Sequence, residues 1–230
     1  MGSNLTEDEV RAEHLATMGP RLGPVYHVLW NEVVWLHAKW KEYKELYGEK
    51  PTRVDLLNRA AGLFFRIVQD ALWEDALLHL ARLTDPPRSA GKENLTLLRL
   101  PSLVDDNGLR RQLDAPLTQA QAKTAFARDW RNRHIAHRDL AKALGQGAKP
   151  LTRASRNHVG EALRALADVL NCVNTFYRNS EIIFDVITPM AGSVALLYVL
   201  RDGLAAEEKR LARLRAGQPD PDDFGPARSV

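Results

Sequence analysis

The chain has 230 residues, with 32 Lys and Arg against 29 Asp and Glu, a formal net charge of +3 and a single cysteine. A chain of this length buries roughly 70% or more of its unfolded surface, so it needs no covalent or metal staple, and one cysteine excludes both an internal disulfide and a cysteine-based zinc cluster. A mildly basic balance, with pI near 9.1, permits a nucleic-acid partner without requiring one, so where the charge lies matters more than its sum.

Thr6 followed by Glu9 is a capping-box signature that opens a short amphipathic helix, ended by Gly19-Pro20. These acidic residues stand where a signal peptide would carry positive charge, so a cytoplasmic protein is expected. A second helix runs from Pro20 to Tyr47, with Val25, Leu29, Val33, Leu36 and Trp40 at helical spacing and Trp30 and Trp35 beside them as a buried aromatic face. The longest candidate, Arg53 to Thr84, holds no proline, and Leu56, Ala60, Leu63, Ile67, Ala71, Leu78 and Leu83 keep its period. It reads as a central helix or a dimer face, with Phe64, Phe65 or Trp73 expected to bury the surround of a two-fold contact.

Asp85 to Glu93 reads as a loop, and Asn94 as the cap of a short helix ending before Pro101. Leu103 to Leu113 suggests a short helical turn, and Thr118 the cap of a long helix carrying Ala122, Ala125, Phe126, Trp130 and then a dense polar stretch, closed by Gly145 and Gly147. Thr152 or Ser155 caps a further helix to about Arg178, with Val159, Leu163, Leu166, Leu170, Val173 and Phe176 or Tyr177 inward. Pro189 and Met190 start a last helix that ends or bends at Gly203. Its flank is too interrupted by Asp185, Pro189 and Gly192 to span a membrane. The expected fold is all-α without a convincing strand pair, one domain over 1–216 and a disordered tail over 217–230.

Residues 128–139, Arg-Asp-Trp-Arg-Asn-Arg-His-Ile-Ala-His-Arg-Asp, hold four arginines and two histidines in twelve positions. Arg128, Arg131, Arg133 and Arg138 carry +4 against −2 from Asp129 and Asp139. Histidine titrates near neutrality and moves protons both ways, whereas arginine offers a fixed fork of donors for phosphate oxygens, so the stretch has the residue types for phosphodiester cleavage without a metal. On a regular helix Arg131 and His137 would lie about 120° apart around the axis and about 9 Å along it. They share one substrate only if the helix loosens or a second chain completes the site.

Trp130-Arg131-Asn132-Arg133-His134-Ile135-Ala136-His137-Arg138-Asp139 resembles the motif of the HEPN superfamily, an Arg followed by a polar residue and then, after a short gap, a His. The AbiU-type branch, associated with bacterial abortive infection of phage, is similar over most of the chain, including Trp35-Leu-His-Ala-Lys-Trp40, Leu57-Asn58-Arg59, Arg82-Leu-Thr-Asp85 and Asn94-Leu-Thr96. The resemblance implies a helical bundle that pairs about a two-fold axis so that two motifs face each other. In active members it also implies a metal-independent endoribonuclease that leaves 2′,3′-cyclic phosphate ends and uses no cofactor. Arg131, Asn132 and His137 fall on the motif positions and carry the catalytic expectation. Arg133, His134, Arg138, Arg128 and Trp130 are candidate RNA or phosphate contacts. Expected partners are RNA, a second copy of the chain, and a neutralising antitoxin or defence-system component.

Noncatalytic members of the superfamily leave a different function open, a module that binds RNA, a nucleotide or a protein. Outside the motif the bland interpretations prevail. His14, His27, His37, His79 and His158 lack metal-ligand spacing and read as structural, with no metal site expected. Glu74-Asp75 and Arg82 to Asp85 are the next candidates: Asp85 before Pro86 most simply ends a helix, and its functional alternative is to hold Arg131 or His137 as a partner. The Trp30, Trp35, Trp40 stripe reads as core or dimer interface.

Overall fold

Helix α1 (Glu7–Tyr47) begins with the capping box that the sequence announces. The Glu9 amide donates to Thr6 Oγ1 at 3.3 Å, and the Thr6 amide donates back to the Glu9 carboxylate at 2.7 Å, so two orphan donors of the first turn are satisfied reciprocally. The computed structural model describes residues 6–136, 140–145, 150–186 and 192–224. Gly19 breaks α1 with φ 80° and ψ 173°, which only glycine adopts at low cost. The chain folds back there, so that the His14 ring meets those of Tyr26, His27 and Trp30.

The described residues form two compact units, Met1–Lys41 with Ala71–Ile187, and Glu42–Asp70 with Thr188–Val230. The first holds most of the core. From α1 it takes Leu22, Tyr26, Leu29, Val33 and Leu36, and from the end of α2 (Pro51–Leu83) Leu77, Leu80, Ala81 and Leu83, all buried. Short helices α3 (Leu100–Leu103) and α4 (Asn107–Gln112) follow, then α5 (Asp114–Trp130), α6 (Leu140–Ala143) and α7 (Arg156–Arg178). Ser155 caps α7, its Oγ accepting from the His158 amide at 3.2 Å, and Val159, Leu163, Leu166, Leu170 and Val173 are buried as their spacing predicts. Helices α5 and α7 pack together, joined at their rim by Lys123 and Glu161 at 2.7 Å.

Several local expectations change. Trp35 is 62% exposed, not buried, because it shares a stripe with exposed Val28 seven residues earlier, while Leu29, Val33, Leu36 and Trp40 occupy the inner one. Leu63 and Ile67 are exposed and Leu57 and Phe65 buried instead. Helix α2 is non-helical at Ala61 (φ −162°, ψ 69°), so a phase counted from Leu56 does not carry past it. Thr118 lies inside α5, bonding back to the Asp114 carbonyl at 2.8 Å, and Ala122 and Ala125 face solvent. Thr96 rather than Asn94 caps the turn at Leu97–Arg99, and Pro101 sits in the first turn of α3, where its missing N–H costs nothing.

A two-residue antiparallel hairpin, β1 (Arg88–Ser89) with β2 (Lys92–Glu93), stands where a plain loop was expected. Of the pair Phe176 or Tyr177, Phe176 is exposed and Tyr177 half-buried, and Gly147 and the Pro189-Met190 start fall outside the described residues.

In the second unit α8 (Ser193–Arg215) runs through Gly203 without ending or bending, and the Ser193 amide donates to the Glu42 carboxylate at 2.5 Å. Tyr47 donates its hydroxyl to the Phe65 carbonyl at 2.9 Å, and Arg59 pairs with Glu208 at 2.5 Å. Pro221–Phe224, in the stretch that composition reads as tail, is a 3-10 turn whose buried Asp223 pairs with Arg213. Among the described residues no helix is long and apolar enough to cross a membrane, and no group of three or more His, Cys, Asp or Glu is placed to hold a metal ion.

Candidate functional site

The motif begins where α5 stops being an α-helix. Arg131–Ile135 form a π-helical turn, in which the Ala136 amide donates to the Arg131 carbonyl at 2.8 Å, five residues back rather than four. Such widened turns occur singly inside helices and often at functional positions. Arg131 therefore sits on a loosened helix, the condition that ideal geometry set for it to cooperate with His137. His137 and Arg138 lie outside the described residues.

Arg131 is held on two edges. Its Nη1 donates to Asp85 Oδ2 at 2.5 Å and its Nε to Asn132 Oδ1 at 3.0 Å. Asp85 lies just past the end of α2 and is mostly buried, with Arg128 Nε 3.8 Å from its other oxygen. Asp85 is thus more than the helix-ending residue that its place before Pro86 suggested. Arg128 also donates to the Thr84 carbonyl at 2.7 Å and to Thr84 Oγ1 at 3.1 Å, placing a cation on the carbonyl end of α2, where the helix dipole favours it. Thr84 in turn shares a 2.7 Å hydroxyl contact with Thr124 of α5. This chain of polar contacts locks the end of α2 against the helix that carries the motif.

The flanking residues are committed internally. Arg133 donates to Asp129 Oδ1 and to the Pro150 carbonyl, each at 3.3 Å. Asp129 accepts from the Thr152 amide at 2.7 Å, and that bond first, then Arg133, holds its carboxyl below the usual aspartate range. Trp130 Nε1 donates to the Thr152 carbonyl at 2.8 Å, while its ring makes edge contacts with Trp73 and His134. His134 Nε2 lies 3.7 Å from Glu74, one of the two acidic residues that the sequence marks on the long helix. Each of these side chains serves to fix the segment after α5.

Beside the motif, an open cleft of about 320 Å³ is lined by Glu32, Arg82, Leu83, Asp85, Asn94 and Leu95. Asp85 belongs to both features, one carboxylate forming part of the cleft wall and holding Arg131. Glu32 Oε2 accepts from Arg82 Nη2 at 2.9 Å and lies 2.7 Å from Nε2 of buried His79. Burial, reinforced by Lys39, pushes His79 down to about 4. Sequence reasoning passed over Glu32 because nothing in a Trp-rich helix marks one carboxylate as special, and it read Asn94 only as a cap. Arg82 and Asp85 were flagged, three residues apart at the end of one helix.

Residues 21–195 match the model of the HEPN AbiU2 family, described as AbiU2. No curated protein and no solved structure matches the chain. The family match takes in α1 from Arg21, the π-helical turn with its Arg131-Asn132 pair, and all of α7, so the all-α architecture and the motif are accounted for together: the chain belongs to the HEPN AbiU2 family.

Proposed function

We propose that this protein is a metal-independent endoribonuclease acting in bacterial abortive infection or as a toxin-like component. The observation that carries this reading is the bracing of Arg131 by Asp85 and Asn132 on a π-helical turn, in a chain of this family. A guanidinium fixed on two edges keeps Nη2 for an incoming anion, and it enters the reaction without reorganising. The RNA 2′-hydroxyl attacks the adjacent phosphorus, the bond to the 5′-oxygen breaks, and a 2′,3′-cyclic phosphate and a 5′-hydroxyl remain. His137 accepts or returns the protons, and Arg131 stabilises the charge that builds on the phosphate oxygens. Because the nucleophile belongs to the RNA, the chain need supply none.

The reading includes a pair of chains. Within one copy Arg128, Arg131 and Arg133 are all engaged by internal carboxylates or carbonyls, which leaves little free positive charge for a strand of phosphates. A second motif facing the first supplies the missing donors and the second histidine.

Purified protein is expected to cleave RNA in EDTA and to leave cyclic phosphate ends, and His137→Ala to abolish cleavage with the fold intact. Equal cleavage by the variant overturns the assignment. The internal commitment of the arginines also suits a noncatalytic module that binds RNA, a nucleotide or a protein. Salt-sensitive RNA binding with no product under any condition selects that function.

A further inference from the structure

We propose that the cleft lined by Glu32, Arg82, Leu83, Asp85, Asn94 and Leu95 is a guanine-selective subsite for the nucleotide next to the scissile phosphate. The inference rests on the ribonuclease reading for the position of that phosphate, and on the cleft itself for the choice of base. Position follows from Asp85. The carboxylate that orients Arg131 is also a wall of the cleft, so a base seated there has its backbone beside the Arg131 guanidinium.

Choice of base follows from what the wall leaves unused. Arg82 and His79 both approach Oε2 of Glu32, so Oε1 remains an uncommitted acceptor among the described residues. Arg82 spends one Nη2 donor on that contact and is 54% exposed, which leaves its Nε and Nη1 edges available. Asn94 uses its Nδ2 on the Pro86 carbonyl and Ser89 Oγ, both at 2.8 Å, so its Oδ1 remains an acceptor. Half-exposed Leu95 supplies apolar surface for a ring face. At about 320 Å³ the cleft stands at the small end of ligand sites, which run from about 300 to 1,000 Å³, and suits one base rather than a run of them.

Guanine presents two adjacent donors, N1–H and the N2 amino group, next to the O6 acceptor. Glu32 Oε1 and Asn94 Oδ1 are the acceptors for those two donors, and Arg82 is the donor for O6. Adenine and cytosine place an acceptor nitrogen next to their one amino group, so an acidic acceptor there meets a lone pair. Uracil sets a single N–H between two carbonyls with the same result. Single-stranded RNA exposes these edges to protein side chains, and a bidentate match discriminates strongly between bases.

The test maps the ends produced when the full chain cleaves an RNA pool of random sequence. Guanosine is expected at one fixed position beside the cut at about tenfold or more over the other bases. Glu32→Gln, and independently Leu95→Trp, which fills the cleft from a half-exposed position, are expected to flatten that preference. Circular dichroism checks that each variant is folded, and the Leu95 variant decides if the Glu32 variant is not. Cleavage without guanosine enrichment, or enrichment unchanged by a folded variant, overturns the subsite and leaves the ribonuclease standing. If the protein cleaves nothing, the ribonuclease reading fails and calorimetry with the four nucleoside monophosphates judges the cleft. Guanosine-selective binding lost in the variants upholds it, and absent or unselective binding overturns it.

Discussion

Near the fold of α1, the rings of His14 and His27 meet through their Nδ1 atoms at 3.2 Å, and only one of the two can donate. Arg178 fixes which. Its guanidinium stays protonated and only donates, and it faces His14 Nε2 at 3.4 Å, so that nitrogen accepts and the His14 proton resides on Nδ1. His27 then accepts at Nδ1 and carries its own proton on Nε2, where Asn31 Nδ2 stands 3.1 Å away, so the Asn31 amide must turn over to present its oxygen there. Both rings are neutral in this arrangement. Burial first, and Arg178 second, holds His14 down at about 4, and burial also lowers His27. A histidine whose folded pKa is depressed contributes stability that is complete above its unfolded value, about 6.5, and is lost as pH falls toward about 4. Thermal midpoints are therefore expected to fall across that window, with His79 adding to the effect. His14→Gln should give a shallower slope and a lower midpoint at pH 7.

Asp85 sits between Arg128 and Arg131 and is, among the described residues, the one negative charge that both face, from a mostly buried position. Replacing it by Asn keeps the shape but leaves two partly buried cations without a counter-charge, and the expected loss is about 1–3 kcal/mol by urea unfolding. If Asp85 served only to end α2, Asn would cost almost nothing. Asp85→Asn is also expected to lower RNA cleavage, because Arg131 loses the partner that orients it.

At the scale of elements, two helices depend on features that helical propensity alone would reject. The back-folded start of α1 needs Gly19 for its left-handed φ and Gly23 for contact. A Cβ at position 23 would lie 2.7 Å from the His14 carbonyl oxygen and 2.8 Å from the Leu15 Cα, both backbone atoms that cannot swing aside. Gly23→Ala is expected to destabilise by about 1–3 kcal/mol in thermal or chemical unfolding, by forcing the two arms of α1 apart. The second feature is the π-helical turn after Trp130. Its backbone is supported by side chains on both flanks, Arg131 on Asp85 and Asp129 on the Thr152 amide, so the irregular turn rests on residues close to the motif.

For the whole molecule the question is the number of chains. Leu63, Phe64 and Ile67 lie at neighbouring helical positions on α2 and are 78%, 60% and 59% exposed, an apolar face suited to a partner surface. Of the residues expected at a dimer contact, Phe65 is buried within its own unit, Trp73 packs against Trp40 and Trp130, and Phe64 alone is well exposed. Light scattering at micromolar concentration is expected to give twice the 25.8 kDa chain mass. Phe64→Glu should reduce that to one chain with little loss of thermal stability, since the side chain is already solvated. A dimer that survives the substitution places the interface elsewhere, and a monomer with full activity rules out the composite site.

Caps, breakers and strong apolar periods were legible from residue order because they act over a few neighbours. The Thr6–Glu9 box, the break at Gly19, the Ser155 cap and the inward stripe of α7 need no partner to be recognised. The motif at Arg131 was legible for a related reason, its residue types being dense and fixed in spacing. Where an apolar sector was wider than one stripe, as around Leu63, Phe64, Phe65 and Ile67, composition offered several faces and tertiary packing chose among them. Long-range polar pairing was open to residue order only as an alternative, Asp85 as a partner for Arg131 or His137, which spacing could not decide. Arg131 and Asp85 are 46 residues apart, and only the packing of α5 against the end of α2 sets them at 2.5 Å, just as only the meeting of α1, α2 and the segment after the hairpin gathers Glu32, Arg82 and Asn94 around one cleft.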